Sequence, residues 1–275
     1  MIPESITLLD HAWSAFLEEN QKALEGSRRV KGLISRACQD SYLEPYLSWD
    51  PAMGGSALNS AAERFVMRVI NIAEHTFAPG MTLSIPLDHT WYLEPDTDVR
   101  HSALRLKEGF SMASVWRELE MTYREKAIDT AHEQLANRFA RAWGLHSKPR
   151  VERAGKVILN HSVYSEASYR NGGLKCLSYS CADSLTGALV PLRELCHQFD
   201  QLEDAAAVSE MIEFVDSARS FDGFKSRTNF SGKRIKLTLF YNKLEVVLQP
   251  ALSDLIDDYL GEHSSFLRKE YENAA

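Results

Sequence analysis

The sequence predicts an α+β fold in which a helical N-terminal layer is followed by an antiparallel sheet of two hairpins backed by helices. Apolar residues recur at helical spacing through most of the first half of the chain. In residues 232–262 the apolar period changes from that of a strand to that of a helix without a long loop between them. This change indicates a strand, a tight turn, a second strand and a terminal helix.

Composition indicates an ordinary globular chain. The 275 residues are 44% hydrophobic and carry a net charge of −7. The apolar runs are shorter than the roughly 20 residues needed to span a bilayer, and the N-terminus lacks the pattern of a signal peptide. We therefore expect a cytoplasmic protein with no membrane contact.

Three helices are expected in the N-terminal layer. Apolar spacing predicts a first helix that ends near Gly26 and a second over residues 30–37. Residues 43–55 contain two prolines and two glycines and are expected to form a loop. The third helix runs from Leu58 to Phe77, where Pro79 and Gly80 stop it.

The middle of the chain is expected to be irregular and then helical. Residues 81–109 are interrupted by prolines and predict an irregular segment with one strand. Apolar spacing returns from Ser111 to Trp143, which predicts either one long helix or two.

Composition changes after Lys148–Pro149, which divides the chain into a mainly helical part, 1–148, and an α+β part, 149–275, packed as one unit. Strand-like runs over 156–164 and 174–180 flank the turn residues 171–173 and predict a hairpin. Ser180 and Asp183 form a capping signature for a helix that reaches Phe199. Another helix covers residues 208–215, before the second hairpin and the helix that begins at Pro250.

Recognisable catalytic motifs are absent from the sequence. It contains neither a G-x-x-x-x-G-K-[ST] phosphate loop nor an H-E-x-x-H zinc motif. Asp96, Asp98 and His101 are the candidate catalytic residues, because carboxylates and a histidine in one loop can bind a hard cation or transfer protons. A solvated loop explains them equally. The cysteines are interpreted as buried thiols, and we expect neither a metal nor a cofactor.

The strongest local signal is a basic segment on an acidic protein. Basic side chains interleaved with aromatic rings are typical of sites for single-stranded nucleic acid, because cations meet phosphates and rings stack on bases. The alternative is that this segment complements the acidic final helix or deters aggregation at a sheet edge. The segment comprises Lys225, Arg227, Lys233, Arg234, Lys236, Phe224 and Phe230.

Two tryptophans suggest a protein interface. Trp49 and Trp91 lie in loop-like segments, and loop tryptophans are frequent anchors of protein–protein contacts. The alternative is that both rings fold back over the helical layer as caps.

The C-terminal half resembles a known family. Ser178, Tyr179, Ser180, Asp183 and Leu185, together with the run 234–263, are similar to the closing part of an uncharacterised bacterial, phage and plasmid family called domain of unknown function 4942. The resemblance covers roughly residues 110–262 and implies a setting in a mobile genetic element. It implies no activity or catalytic residue.

These observations favour a non-enzymatic binding protein of a mobile element that contacts a protein or a nucleic acid, possible roles being phage–host conflict and DNA metabolism. Single-stranded nucleic acid is expected rather than duplex. The alternative is a metal-dependent enzyme that acts on nucleic acid through the loop with Asp96, Asp98 and His101.

Overall fold

A computed structural model describes residues 2–37, 55–95, 104–145, 151–168, 174–219 and 223–267. The predicted α+β class is confirmed, with a helical N-terminal region and antiparallel sheets after it. The chain divides into two compact units, residues 1–128 and 129–275. This division lies before the composition change at Lys148–Pro149, because the helix that starts at Ala127 contributes Leu135 and Phe139 to the core of the second unit.

The described residues of the N-terminal unit contain three α-helices: α1 (Glu4–Ala37), α2 (Gly55–Phe77) and α3 (Met112–Tyr123). The predicted end of the first helix near Gly26 is wrong, because α1 runs through this glycine. A glycine inside a helix costs only about 1 kcal/mol relative to alanine, so the favourable flanking residues carry the helix across it.

Aromatic packing builds the core of this unit. Trp13 of α1 is 2% exposed, and its ring centroid lies 5.5 Å from that of Phe16, 5.3 Å from that of Phe65 and 5.5 Å from that of Phe110. Asp10, one turn earlier, accepts hydrogen bonds from the backbone N–H groups of Met112 and Ala113 at the start of α3. The first turn of α3 is thereby tied to α1.

The segment between α2 and α3 is more regular than predicted. A 3₁₀ turn covers His89–Trp91, and two short antiparallel strands follow, β1 (Leu93–Pro95) and β2 (Leu104–Leu106). One strand was expected there, and the described residues of this segment form two. A three-residue strand is too short to produce a visible alternation of apolar residues.

The C-terminal unit contains the remaining long helices. These are α4 (Ala127–Ala142), α5 (Tyr179–Gln198), α6 (Leu202–Ala218) and α7 (Pro250–His263). The residues from Ser111 to Trp143 thus form two helices. The N-cap of α5 is Ser178, not Ser180 as predicted, since the hydroxyl group of Ser178 accepts from the backbone N–H of Cys181.

A five-stranded antiparallel sheet lies on these helices in the order β3-β4-β9-β8-β7. Its strands are β3 (Val151–Arg153), β4 (Lys156–Ser162), β7 (Thr228–Ser231), β8 (Ile235–Leu239) and β9 (Lys243–Leu248). The C-terminal strand–turn–strand–helix prediction is confirmed by β8, β9 and α7. The sheet buries one face, on which Leu237, Val246 and Leu159 belong to the same hydrophobic core as the buried residues of α5 and α6.

A second hairpin pairs β5 (Ser165–Ala167) with β6 (Lys175–Leu177). It encloses residues 171–173, which lie outside the described residues. The predicted partner of β6 was the run 156–164, which instead supplies β4 to the central sheet. Strand β4 pairs with β9, which lies more than eighty residues later in the chain. The local alternation of apolar residues does not specify which strand is the partner.

None of the helices in the described parts of the chain is both long enough and apolar enough to cross a membrane.

Candidate functional site

The basic segment surrounds the outer strand of the five-stranded sheet. Strand β7 pairs with β8 on one side only. Lys225 and Arg227 come before β7, Lys233 and Arg234 form the turn after it, and Lys236 lies on β8 opposite Ser231. At about 3.3 Å per residue, Arg227 and Lys233 are at most about 20 Å apart along the edge, and Lys225 and Arg234 at most about 30 Å.

These cations are available to a ligand. Lys225, Arg227, Lys233 and Lys236 are exposed, and Arg234 is half-buried. Within the described residues, none of the five side chains takes part in an ion pair. The alternative that they pair with the acidic residues of α7 therefore has no support in the contacts of these side chains.

The two aromatic residues of the segment are not placed for stacking. Phe224 is 3% exposed, and its ring centroid lies 5.4 Å from that of Tyr241 and 6.4 Å from that of Phe214. Phe230 is half-buried against the core, 5.6 Å from Phe214. Because base stacking needs an open ring face, Phe224 offers none in this conformation.

A buried carboxyl group holds the turn that carries two of the cations. Asp204, in the first turn of α6, is 1% exposed, and its Oδ1 accepts a hydrogen bond of 2.7 Å from the backbone N–H of Arg234. Its Oδ2 is buried and has no hydrogen-bond partner in the described residues. Gly232 lies so close to Asp204 that an added Cβ would stand 2.8 Å from the Cα of Asp204. This contact explains the glycine and fixes the turn against α6.

The N-terminal unit has an open cleft of about 510 Å³ beside the start of α3. Its walls are the 3₁₀ turn, the turn after β2 and the first two turns of α3. They combine acidic, hydroxyl and aromatic side chains with one lysine and one glycine: Asp88, Thr90, Trp91, Lys107, Glu108, Gly109, Phe110, Ser114 and Glu118.

Local hydrogen bonds hold the walls of this cleft. Asp88 caps the 3₁₀ turn by accepting from the backbone N–H of Thr90 at 2.8 Å, and hydrogen bonding to Thr90 lowers the pKa of the Asp88 carboxyl. Tyr92 is 1% exposed and its Oη lies 2.6 Å from Nδ1 of His89. Burial, followed by the nearby carboxylate of Glu63, raises the pKa of Tyr92. The backbone oxygen of Tyr92 accepts a hydrogen bond of 2.9 Å from the backbone N–H of Lys107, so Tyr92 joins the two walls.

Of the other predicted site residues, one lies in the cleft wall and the rest lie outside the described residues. Trp91 is half-buried in the cleft wall. Trp49 and the candidate catalytic residues Asp96, Asp98 and His101 lie outside the described residues. In the parts of the chain that are described, no group of three or more histidine, cysteine, aspartate or glutamate residues is arranged to hold a metal ion. The enzyme alternative therefore stays a prediction.

One cluster of side chains was not predicted from the sequence. His132 of α4 stacks on His263 of α7, with ring centroids 4.6 Å apart and an interplanar angle of 14°. The Nδ1 of His132 lies 2.8 Å from Oη of Tyr259. Burial, with a smaller contribution from His263, lowers the pKa of His132, while burial raises the pKa of Tyr259. The two histidines are 131 positions apart in the chain, which leaves no local signal of this contact.

Comparisons of the chain with models of protein families, with curated proteins and with solved structures gave no match. The resemblance to domain of unknown function 4942 therefore stays a prediction.

Proposed function

We propose that this protein binds single-stranded nucleic acid through the edge of its C-terminal sheet. The observation that carries the proposal is the set of five cations around β7 that form no ion pair with the described residues. On a chain with a net charge of −7, such a local concentration needs a reason beyond solubility. Phosphate groups are the ligands that most simply match it.

The contacts favour recognition of the phosphate backbone rather than of bases. The rings of Phe224 and Phe230 pack into the core, so they are not free stacking platforms. Lysine and arginine side chains bind phosphates without reading sequence. We therefore expect binding with little sequence preference and a strong dependence on salt.

A single strand fits this surface better than a duplex. The cationic edge is at most about 30 Å long from Lys225 to Arg234, and the rest of the chain carries an excess of negative charge. A duplex is stiff and presents one charge per about 1.7 Å, so its neighbouring phosphates would meet the acidic surface. A flexible single strand can follow the edge alone.

The proposal describes a binding protein and requires no catalytic group. Its setting in a mobile genetic element, with a part in phage–host conflict or DNA metabolism, is supported only by the resemblance to domain of unknown function 4942. The cytoplasmic location likewise stays a prediction.

The test is a titration of a fluorescently labelled oligothymidylate by anisotropy at several salt concentrations. The double charge reversal Lys233→Glu with Lys236→Glu should weaken binding at least about tenfold at low salt. Removing two phosphate contacts should also lower the slope of log K against log salt by about 1.4. Both changed side chains are exposed, so folding should be unaffected.

The matched control is Arg64→Glu with Arg68→Glu, which changes the net charge equally at two exposed positions of α2. If the control weakens binding as much as the edge variant, the effect is one of net charge and the proposed edge is wrong. Wild-type affinity that does not change with salt would also contradict the proposal.

A further inference from the structure

The N-terminal cleft contains a tryptophan unlike the others that the structure describes. Trp13, Trp116 and Trp143 are 2%, 2% and 5% exposed and belong to hydrophobic cores. Trp91 is half-buried and lines the cleft. Within the described residues, its ring stacks on no other aromatic ring and its indole N–H makes no hydrogen bond. The ring is therefore available to a ligand rather than required by the core.

The charges beside Trp91 favour a cation. Asp88, Glu108 and Glu118 contribute three carboxyl groups to the cleft, and Lys107 contributes one ammonium group. Glu108 and Glu118 are exposed and form no ion pair within the described residues. An aromatic face beside carboxylates is the arrangement that binds ammonium and guanidinium groups in proteins.

The cleft is also held in shape before any ligand arrives. The Asp88–Thr90 hydrogen bond fixes the turn that carries Trp91, and the capping box between Ser111 and Ser114 fixes the start of α3. A preorganised site loses less conformational entropy on binding than one that must be ordered by its ligand.

We infer that this cleft binds an arginine or lysine side chain presented by a protein partner. The cavity of about 510 Å³ opens to solvent and has room for the side chain together with flanking residues of an extended segment. This inference goes beyond the proposed function, because it concerns the other unit and a ligand of opposite charge. The chain then has a cationic edge for nucleic acid and an acidic cleft for a basic protein segment.

The experiment measures binding of a fluorescently labelled Gly-Arg-Gly-Arg-Gly peptide to the full chain by anisotropy. A peptide with citrulline in place of arginine, which is neutral and of almost the same shape, should bind at least about tenfold more weakly. Trp91→Leu should weaken arginine-peptide binding about threefold without changing any charge. Glu108→Gln with Glu118→Gln should weaken it about fivefold.

Controls separate the cleft from general attraction to an acidic protein. Glu25→Gln with Glu125→Gln removes the same charge at exposed positions outside the cleft and should leave affinity unchanged. Circular dichroism shows whether Trp91→Leu is folded, and the glutamine pair tests the site at exposed side chains that form no hydrogen bond or ion pair within the described residues. Oligothymidylate binding should be unaffected by all these variants, so the cleft and the edge can fail independently.

Three results would overturn the inference. Equal affinity for the citrulline and arginine peptides would show that the cleft does not recognise the positive charge. An effect of the control pair as large as that of the cleft pair would show non-specific attraction. Free spermidine or arginine amide that binds as tightly as the peptide would identify a small-amine site instead of a protein interface.

Discussion

Replacement of Gly232 by alanine tests the contact that fixes the basic turn. The new Cβ would lie 2.8 Å from the Cα of Asp204 and 3.0 Å from the backbone oxygen of Glu203. Both atoms belong to the backbone of α6, so no side-chain rotation can relieve the overlap. The turn must move away from the helix or the helix must shift.

The expected cost follows from two terms. Overpacking at a close contact costs about 1–3 kcal/mol. Movement of the turn also weakens the 2.7 Å hydrogen bond from the backbone N–H of Arg234 to Asp204, and a bond to a charged group contributes about 1.5–3 kcal/mol. Because partial movement relieves one term at the expense of the other, we expect a loss of about 3 kcal/mol. For a protein of this size that corresponds to about 5 °C in melting temperature.

The assay is urea unfolding followed by circular dichroism, with Gly187→Ala as the matched control. Gly187 lies on the exposed side of α5 and an added Cβ there meets no atom within 4 Å. Alanine at this helical position should stabilise the protein by about 0.5–1 kcal/mol. If both variants shift the urea midpoint in the same direction, the proposed close approach of the turn to α6 is wrong.

Three further predictions concern other contacts. Burial lowers the pKa of His132 in the native state, so the stability that neutral His132 contributes is full above about pH 6.5 and is lost as the pH falls through the lowered pKa. Urea midpoints measured between pH 5 and 8 should therefore fall less steeply in His132→Gln than in the wild type. The control His11→Gln alters an exposed residue of α1 and should leave the fall in urea midpoint as it is in the wild type. Burial raises the pKa of Cys196 to about 12, so its thiol should not react with an alkylating reagent at pH 8 in the folded protein, whereas half-buried Cys176 should react. Peptide mapping after alkylation measures both reactions. Equal labelling of the two cysteines would contradict the buried position of Cys196. Asp10→Ala removes the acceptor for two N–H groups of α3 and should lower the free energy of unfolding by about 1 kcal/mol, whereas no change in urea midpoint would show that the cap contributes nothing.

Much of the fold was predictable because its signals are local. The alternation in β8 and β9 and the apolar stripe of α7 are visible within one short segment, and both agree with the structure. The end of α1 was not predictable, because a glycine such as Gly26 weakens a helix without deciding where it stops. Helix ends depend on capping and packing as much as on composition.

The candidate sites were predictable in residue type and less so in geometry. Cations near β7 could be found by counting charges, but burial of Phe224 depends on Tyr241 and Phe214, which approach it only in the fold. Trp91 stood out as a loop tryptophan. The acidic side chains around it come from separate turns and from α3, so the cleft itself had no signature in the sequence.

Local patterns in the sequence are enough to predict the class of fold, the helices and strands with strong periodicity, and the cationic segment on an acidic chain. Contacts between distant residues are needed to establish that β4 pairs with β9, that Asp204 holds the turn at Gly232, and that Trp91 lines an acidic cleft. The difference lies in the range of the interactions. Periodicity and charge are properties of neighbouring residues, whereas pairing, burial and cavities arise from residues that are distant in the chain and meet only when the core is packed.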